Sequence, residues 1–155
     1  MSAIEFEVRG TPAPKGSNRA MVRGGRAVFV PGGSKVNQAA LKGWDACVRA
    51  DALEKLGPLD GPVFVGVPLA VSITFRLARP AGHWSRRGLK VGLRVGAPAF
   101  PAVKPDADKL ARSTLDSLSG LVFDDDARIV RLIVAKEYAQ PGREGAAISV
   151  WECKQ

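Results

Sequence analysis

Apolar and polar residues follow two rhythms along this chain, and the rhythms order its elements. Ile4, Phe6 and Val8 alternate with Glu5 and Glu7, the period of two expected of a half-buried strand. After GTPAPKGSNR, the segment AMVRGGRAVFVP predicts two short strands around Gly24-Gly25, a pair able to supply the positive φ angles of a primed hairpin turn. From Ser34, an N-cap residue, Val36, Ala40, Trp44, Cys47 and Val48 recur at helical spacing until Gly57-Pro58 stops them. Leu69, Val71, Ile73, Phe75 and Leu77 then alternate with Ser72, Thr74 and Arg76, which predicts a strand with one face in the core. The stretch RPAGHWSRRGLKVGLRVGAPAFPAVKP has no sustained period and reads as a long loop. A second helix starts at Asp106, carries a stripe of Leu110, Ala111, Leu115 and Leu118, and ends at Gly120. Val130, Leu132, Val134 and Tyr138 alternate with Arg131, Ile133 and Ala135, and Ala146 to Trp151 reads as a last strand. Trp44 and Trp151 fall in periodic segments and are assigned to the core. The order predicts one α+β domain spanning residues 1–155, a mixed or antiparallel sheet with two main helices packed on it.

Composition narrows the class. A chain of 155 residues is long enough to bury a real core. MSAIEFEVRG has acids where a basic leader region would stand, and no apolar run reaches membrane-spanning length. A soluble cytoplasmic protein is expected. Cys47 and Cys153 are far apart and His83 is the single histidine, which suits neither a disulfide framework nor a zinc site.

Charge says more. The net charge is +8, yet no acid stands between Gly61 and Pro105, a span holding Arg76, Arg79, Arg86, Arg87, Lys90, Arg94 and Lys104. Nine of the fifteen acids follow it. KPDADKLARSTLDSLSGLVFDDDARI gathers Asp106, Asp108, Asp116, Asp124, Asp125 and Asp126. Asp106 and Asp108 suit the positive end of a helix whatever else they do, and the three consecutive acids suit a polar turn. Chain length also allows the two groups to meet. The helix is about 18 Å long at ~1.5 Å per residue, and the eight residues from Ser119 to Asp126 span up to about 27 Å. A chain folded back along the helix brings Asp126 or Asp125 beside Asp106 and Asp108, three sets of hard oxygens of the kind preferred by Mg²⁺ or Mn²⁺. Arg112, four residues after Asp108, shares that face, where the two also suit an ordinary surface pair.

The run KPDADKLARSTLDSLSGLVFDDDARIVRL resembles the signature of RusA-type Holliday junction resolvases: Asp-x-Asp opening a helix, Leu-Asp-x-Leu at its end, then Asp-Asp before a strand. PAPKGSNR resembles the Pro-x-Pro-Lys-Gly stretch of the same family. The resemblance implies a RusA-like fold and a homodimer that binds branched DNA, the four-way junction, and cuts it by paired symmetric nicks with Mg²⁺ as cofactor, Mn²⁺ being a possible substitute. It makes Asp106, Asp108 and Asp126 the metal-binding catalytic acids, with Asp125 as neighbour or substitute. Arg112 stands where the family has a catalytic basic residue, often lysine. An arginine holds phosphate bidentately but does not serve as a proton donor. Lys109 stands where some members have asparagine and is assigned to DNA contact. Lys15, Arg19, Arg23 and Arg26, with Arg86, Arg87 and Lys90 of the 79–94 loop, are assigned to backbone phosphates. Asp116 is either a solvated or structural residue or part of the site. His83-Trp84 either stacks on a base or anchors its loop.

Three other readings stand beside the nuclease. A metal-dependent phosphatase or phosphotransferase also uses Asp-x-Asp, but such a site follows a buried parallel strand and here it follows AFPAVKP. A non-catalytic branched-DNA-binding protein of the same fold accommodates the arginine at 112. A purely structural acidic turn in a basic binding module predicts that replacing Asp108 leaves DNA affinity unchanged or raises it.

Overall fold

The computed structural model describes residues 3–16, 19–30, 34–87 and 90–154. Its strands are β1 (Ala3–Arg9), β2 (Arg19–Arg23), β3 (Arg26–Val30), β4 (Leu69–Leu77), β5 (Trp84–Arg87), β6 (Lys90–Leu93), β7 (Ile129–Tyr138) and β8 (Gly145–Glu152). The two long helices are α1 (Lys35–Leu56) and α2 (Ala107–Leu118). Four strands form the main sheet in the order β1-β8-β4-β7, with β4 and β7 parallel and the other neighbours antiparallel. The sheet is therefore mixed, one of the two forms that the patterning leaves open.

The alternation in sequence becomes two faces of this sheet. Ile4, Phe6 and Val8 lie in register with Val150, Ile148 and Ala146, and these with Val71, Ile73 and Phe75. All nine are buried and join Trp44, Val48, Leu110, Leu115 and Leu118 of the helices in one core. The Trp44 ring lies 6.4 Å from that of Phe75. Gly145 sits at φ +154°, where a Cβ would come within 1.9 Å of the Val8 carbonyl oxygen, so close approach of β1 and β8 requires glycine there. On the opposite face, Ser72 pairs with Ser149 and Thr74 with Ala147, all half-buried, while Glu7 and Arg76 form an ion pair.

Ser34 caps α1 by accepting from Asn37 N at 3.2 Å, and Gly57 at φ +73° ends it. Gly24 and Gly25, at φ +57° and +75°, turn β2 into β3, as the type I′ pattern requires. Two expectations need correction. The 79–104 segment is not one loop: a short 3-10 turn at Ala81–His83 leads into the β5–β6 hairpin. Its four-residue strands are mostly exposed, so no buried face imposes alternation on their sequence. Trp151 is half-buried, because its register with Ala3 and Ala70 puts it on the face opposite the core.

Candidate functional site

Helix α2 is held by groups other than its apolar stripe. Ser113, Thr114 and Ser117 are buried within it. Ser113 Oγ donates to the Ala13 carbonyl at 2.6 Å, Thr114 Oγ1 accepts from Trp44 Nε1 at 3.0 Å, and Ser117 Oγ donates to Asp45 Oδ1 at 2.6 Å. Arg49 Nη1 donates to the Ser117 carbonyl at 2.9 Å. These bonds fix the helix against both α1 and the Pro12–Pro14 loop. The sequence signal for them is three hydroxyl residues in a helix interior, a position they occupy comfortably only when their side chains find acceptors.

From this fixed helix, Asp108, Ala111, Arg112 and Leu115 form one wall of a groove of about 390 Å³. Asp126, Leu132 and Val134 form the other. The chain does fold back along α2. Phe64 N donates to the Val122 carbonyl at 2.9 Å, Asp124 N donates to the Phe64 carbonyl at 3.1 Å, and the Val122 and Phe123 side chains are fully buried. The triple acid therefore hangs from a buried anchor.

Each of its three members has a different place. Asp124 Oδ2 accepts from Gly66 N and from Arg128 Nη2, both at 3.3 Å. Burial works against its charge, yet the Arg128 hydrogen bond, the Gly66 N–H and the Arg128 charge together hold the carboxyl below its ordinary value of 3.8. Asp125 Oδ1 accepts from Ala127 N at 2.9 Å and caps the 3-10 turn Asp126–Arg128. Asp126 is exposed and lines the groove it shares with Asp108 and Arg112. Among the described residues, Asp108, Arg112 and Asp126 carry no ion pair, and the nearby pairs join Lys109 to Asp106, Lys15 to Asp116 and Arg128 to Asp124. Asp108 and Arg112 therefore share a face without joining.

Asp106 takes a separate position. It is the N-cap residue of α2 but makes no side-chain capping bond, and its Oδ2 lies 3.3 Å from Lys109 Nζ. It lines a second groove, on the α1 side of the helix, with Lys15, Lys104 and Lys109. Among the described residues no group of three or more His, Cys, Asp or Glu is arranged to hold a metal ion. Asp108 and Asp126, with Arg112, are brought together; Asp106 and Asp125 are not joined to them.

The cations divide as well. Lys15 is engaged by Asp116, and its N–H donates to the Lys109 carbonyl at 3.1 Å, which makes Asp116 a structural partner. The Arg19 side chain and residues 17 and 18 lie outside the described residues. Arg23 and Arg26 flank the exposed β2–β3 turn, and Arg86, Arg87 and Lys90 are exposed on β5–β6. His83 meets Tyr138 edge-on at 5.4 Å and Arg79 lies 4.2 Å from the centre of the same ring, so His83 anchors its hairpin.

With this geometry in place, comparison with known sequences decides the family. The family model described as Endodeoxyribonuclease RusA matches residues 10–149. The chain belongs to the RusA family. RusA proteins are endodeoxyribonucleases that act on branched DNA and depend on divalent metal ions. The matched span contains both walls of the groove, the Pro12–Lys15 loop and both hairpins. A Bacillus subtilis (strain 168) relative, uncharacterized protein YqaN, is 29% identical over 147 residues, covering 92% of this chain and 93% of the relative. The donor chemistry here fits the RusA requirement in part. Asp108 and Asp126 offer uncommitted hard oxygens across one groove. The other two acids assigned to the ion are engaged elsewhere, Asp106 by Lys109 and Asp125 as the cap of its turn.

Proposed function

We propose that this protein is a Mg²⁺-dependent endodeoxyribonuclease that resolves four-way DNA junctions by paired symmetric nicks in DNA recombination and repair. The observation that carries the reading is the groove lined together by Asp108, Asp126 and Arg112, none of which has an ion pair among the described residues. Uncompensated carboxylates next to a free guanidinium are poor structural glue but suit a site that binds a cation and a phosphate together. Asp108 and Asp126 would hold the ion, with Mn²⁺ as substitute and Asp106 as further ligand once released by Lys109. When bound, the ion supplies an activated water and neutralises charge on the phosphodiester.

The protein's own groups do the rest. Arg112 binds the scissile phosphate through two parallel N–H donors and stabilises the charge that builds there. It transfers no proton, since a guanidinium stays protonated throughout the working range. Leu115, Leu132 and Val134 add apolar surface to the two walls, which would lower the local dielectric and strengthen those charge interactions once DNA covers the groove. Arg23, Arg26, Arg86, Arg87 and Lys90 neutralise flanking phosphates that the carboxylates would otherwise repel. Two such sites in a homodimer suit paired cuts. No helix among the described residues is long and apolar enough to cross a membrane, and we assign the activity to the cytoplasm.

The test is cleavage of a labelled mobile four-way junction, against linear duplex of the same sequence, with Mg²⁺ or EDTA, by wild type and Asp108→Asn. Metal-dependent symmetric nicks on the junction that vanish in the variant are expected. Junction binding without cleavage under any divalent metal favours instead a binding-only protein of the same fold, a reading supported by the engagement of Asp106 with Lys109.

A further inference from the structure

On the other side of α2 lies the groove of about 510 Å³ that Asp106 and Lys109 border, within the roughly 300–1,000 Å³ of sites that take small ligands. Its apolar surface comes from Pro12, Pro14, Ala40, Leu41 and Pro105. Asn37 and Gln38, on the first turn of α1, stand at its edge. Among the described residues neither side-chain amide has a hydrogen-bond partner, the one bond at Asn37 being that of its backbone N–H to Ser34. Lys104, exposed and without an ion pair among the described residues, completes the rim. The first turn of α1 holds no acid. Among the described residues the groove thus combines an apolar lining, two side-chain amides without a partner and a cation without an ion pair.

We propose that this groove receives one unpaired nucleotide of the DNA substrate, its base against the proline and leucine surface, its edge read by Asn37 and Gln38, and its phosphate on Lys104. Each part matches a property of that ligand. A base that has left its stack packs against aromatic or apolar side chains. Carboxamides form paired hydrogen bonds with base edges, and the hydrogen-bonding edge is fully available only when the base has left its duplex. Opening one base pair at the branch point exposes such a nucleotide. The groove meets the proposed cutting site through Asp106 and Lys109, on the same first turn of α2 as Asp108, so a base held there sets which phosphate reaches Arg112. The inference rests on the nuclease reading and names the sequence-reading residues of that site.

Binding in EDTA, where no cleavage is expected, tests it separately. The probes are single-stranded homotetranucleotides of each base, a tetranucleotide of abasic sugars and inorganic phosphate, added to ¹⁵N-labelled full-length protein. The side-chain amide signals of Asn37 and Gln38 should shift with at least one base-bearing oligonucleotide, to different extents for different bases. The Gln38→Ala variant should bind the preferred oligonucleotide about tenfold more weakly, the loss of one amide-to-base pair. The Leu41→Trp variant, which fills the groove, should abolish the base-dependent shifts, and its backbone amide spectrum reports whether it folds. Equal shifts with the abasic oligonucleotide or phosphate, or none with any probe, overturn the proposal. A protein that cuts junctions without base-dependent shifts loses only this inference. Base-dependent shifts without cleavage under any metal sink the nuclease reading and leave a single-strand binding groove.

Discussion

Arg112 is the residue whose chemistry most limits mechanism. It lines one groove with Asp108 and Asp126 and has no ion pair among the described residues, so its charge is available to a phosphate. Replacing it with alanine should lower the cleavage rate about 100-fold, the usual loss on deleting a transition-state charge donor, with a much smaller change in junction affinity. Arg112→Lys should recover part of the rate. Single-turnover cleavage checks both, and an alanine variant that cuts at the wild-type rate removes Arg112 from the site. Asp124 makes a different prediction. Its carboxyl titrates below 3.8 because the Arg128 guanidinium and the Gly66 N–H outweigh burial. A carboxyl lowered in the folded state adds stability above its ordinary value and loses it as pH falls through the folded one. Asp124→Asn should therefore melt below wild type at pH 7, and the gap should close below about pH 3.8 as wild type loses its charge. Identical melting curves at pH 7 would discount the clamp. At this scale the sequence marks the acidic cluster but not its division of labour. That Asp125 caps a turn and Asp124 reaches Gly66 depends on backbone angles and on a loop 58 residues away.

Elements show the same boundary between what pattern dictates and what packing decides. β1, β4, α1 and α2 are legible because each buries one face, which forces a period on the sequence. β5 and β6 bury little and leave no period. The parallel pairing of β4 with β7 is likewise unreadable, since alternation is the same in parallel and antiparallel neighbours. The groove between α2 and β7 follows from that pairing, and so does the partnership of Asp108 with Asp126. For DNA binding, the β5–β6 hairpin presents Arg86, Arg87 and Lys90 to solvent, whereas Lys15 is held by Asp116. Replacing Arg86 and Arg87 together with alanine should reduce the slope of log affinity against log salt by about 1.8, near 0.9 for each phosphate left without its arginine. Lys15→Ala should leave that slope unchanged and lower the melting temperature only slightly, because it removes the exposed Lys15–Asp116 pair while the Ser113 and Lys109 bonds still hold the Pro12–Pro14 loop on α2. Fluorescence titration of a junction at several salt concentrations, with metal omitted, separates the two. An unchanged slope for the double variant would move the DNA path away from this hairpin.

For the whole molecule, the question raised by the proposed paired cuts is how one groove per chain would make both. Strand β7 ends the main sheet, and Val130 and Ile133 on it are 66% and 49% exposed. An exposed apolar edge strand invites pairing with another chain, and a twofold axis is the commonest way for identical chains to satisfy one another. Ile133 lies on the face away from the helices, in register with Ser72, so it can be changed without entering the carboxylate groove. If the protein acts as a dimer through this edge, the wild type sediments at twice 16.4 kDa, and Val130→Lys with Ile133→Lys sediments as a monomer through charge repulsion across the axis. The monomer keeps Asp108, Arg112 and Asp126 together and retains junction nicking, but its two cuts become independent events. On a supercoiled cruciform plasmid, wild type then gives linear product from paired cuts within one binding event, and the double variant gives nicked circles. Wild-type protein that sediments as a monomer on and off DNA while still producing linear plasmid would require the second cut to come from a second, separately bound chain.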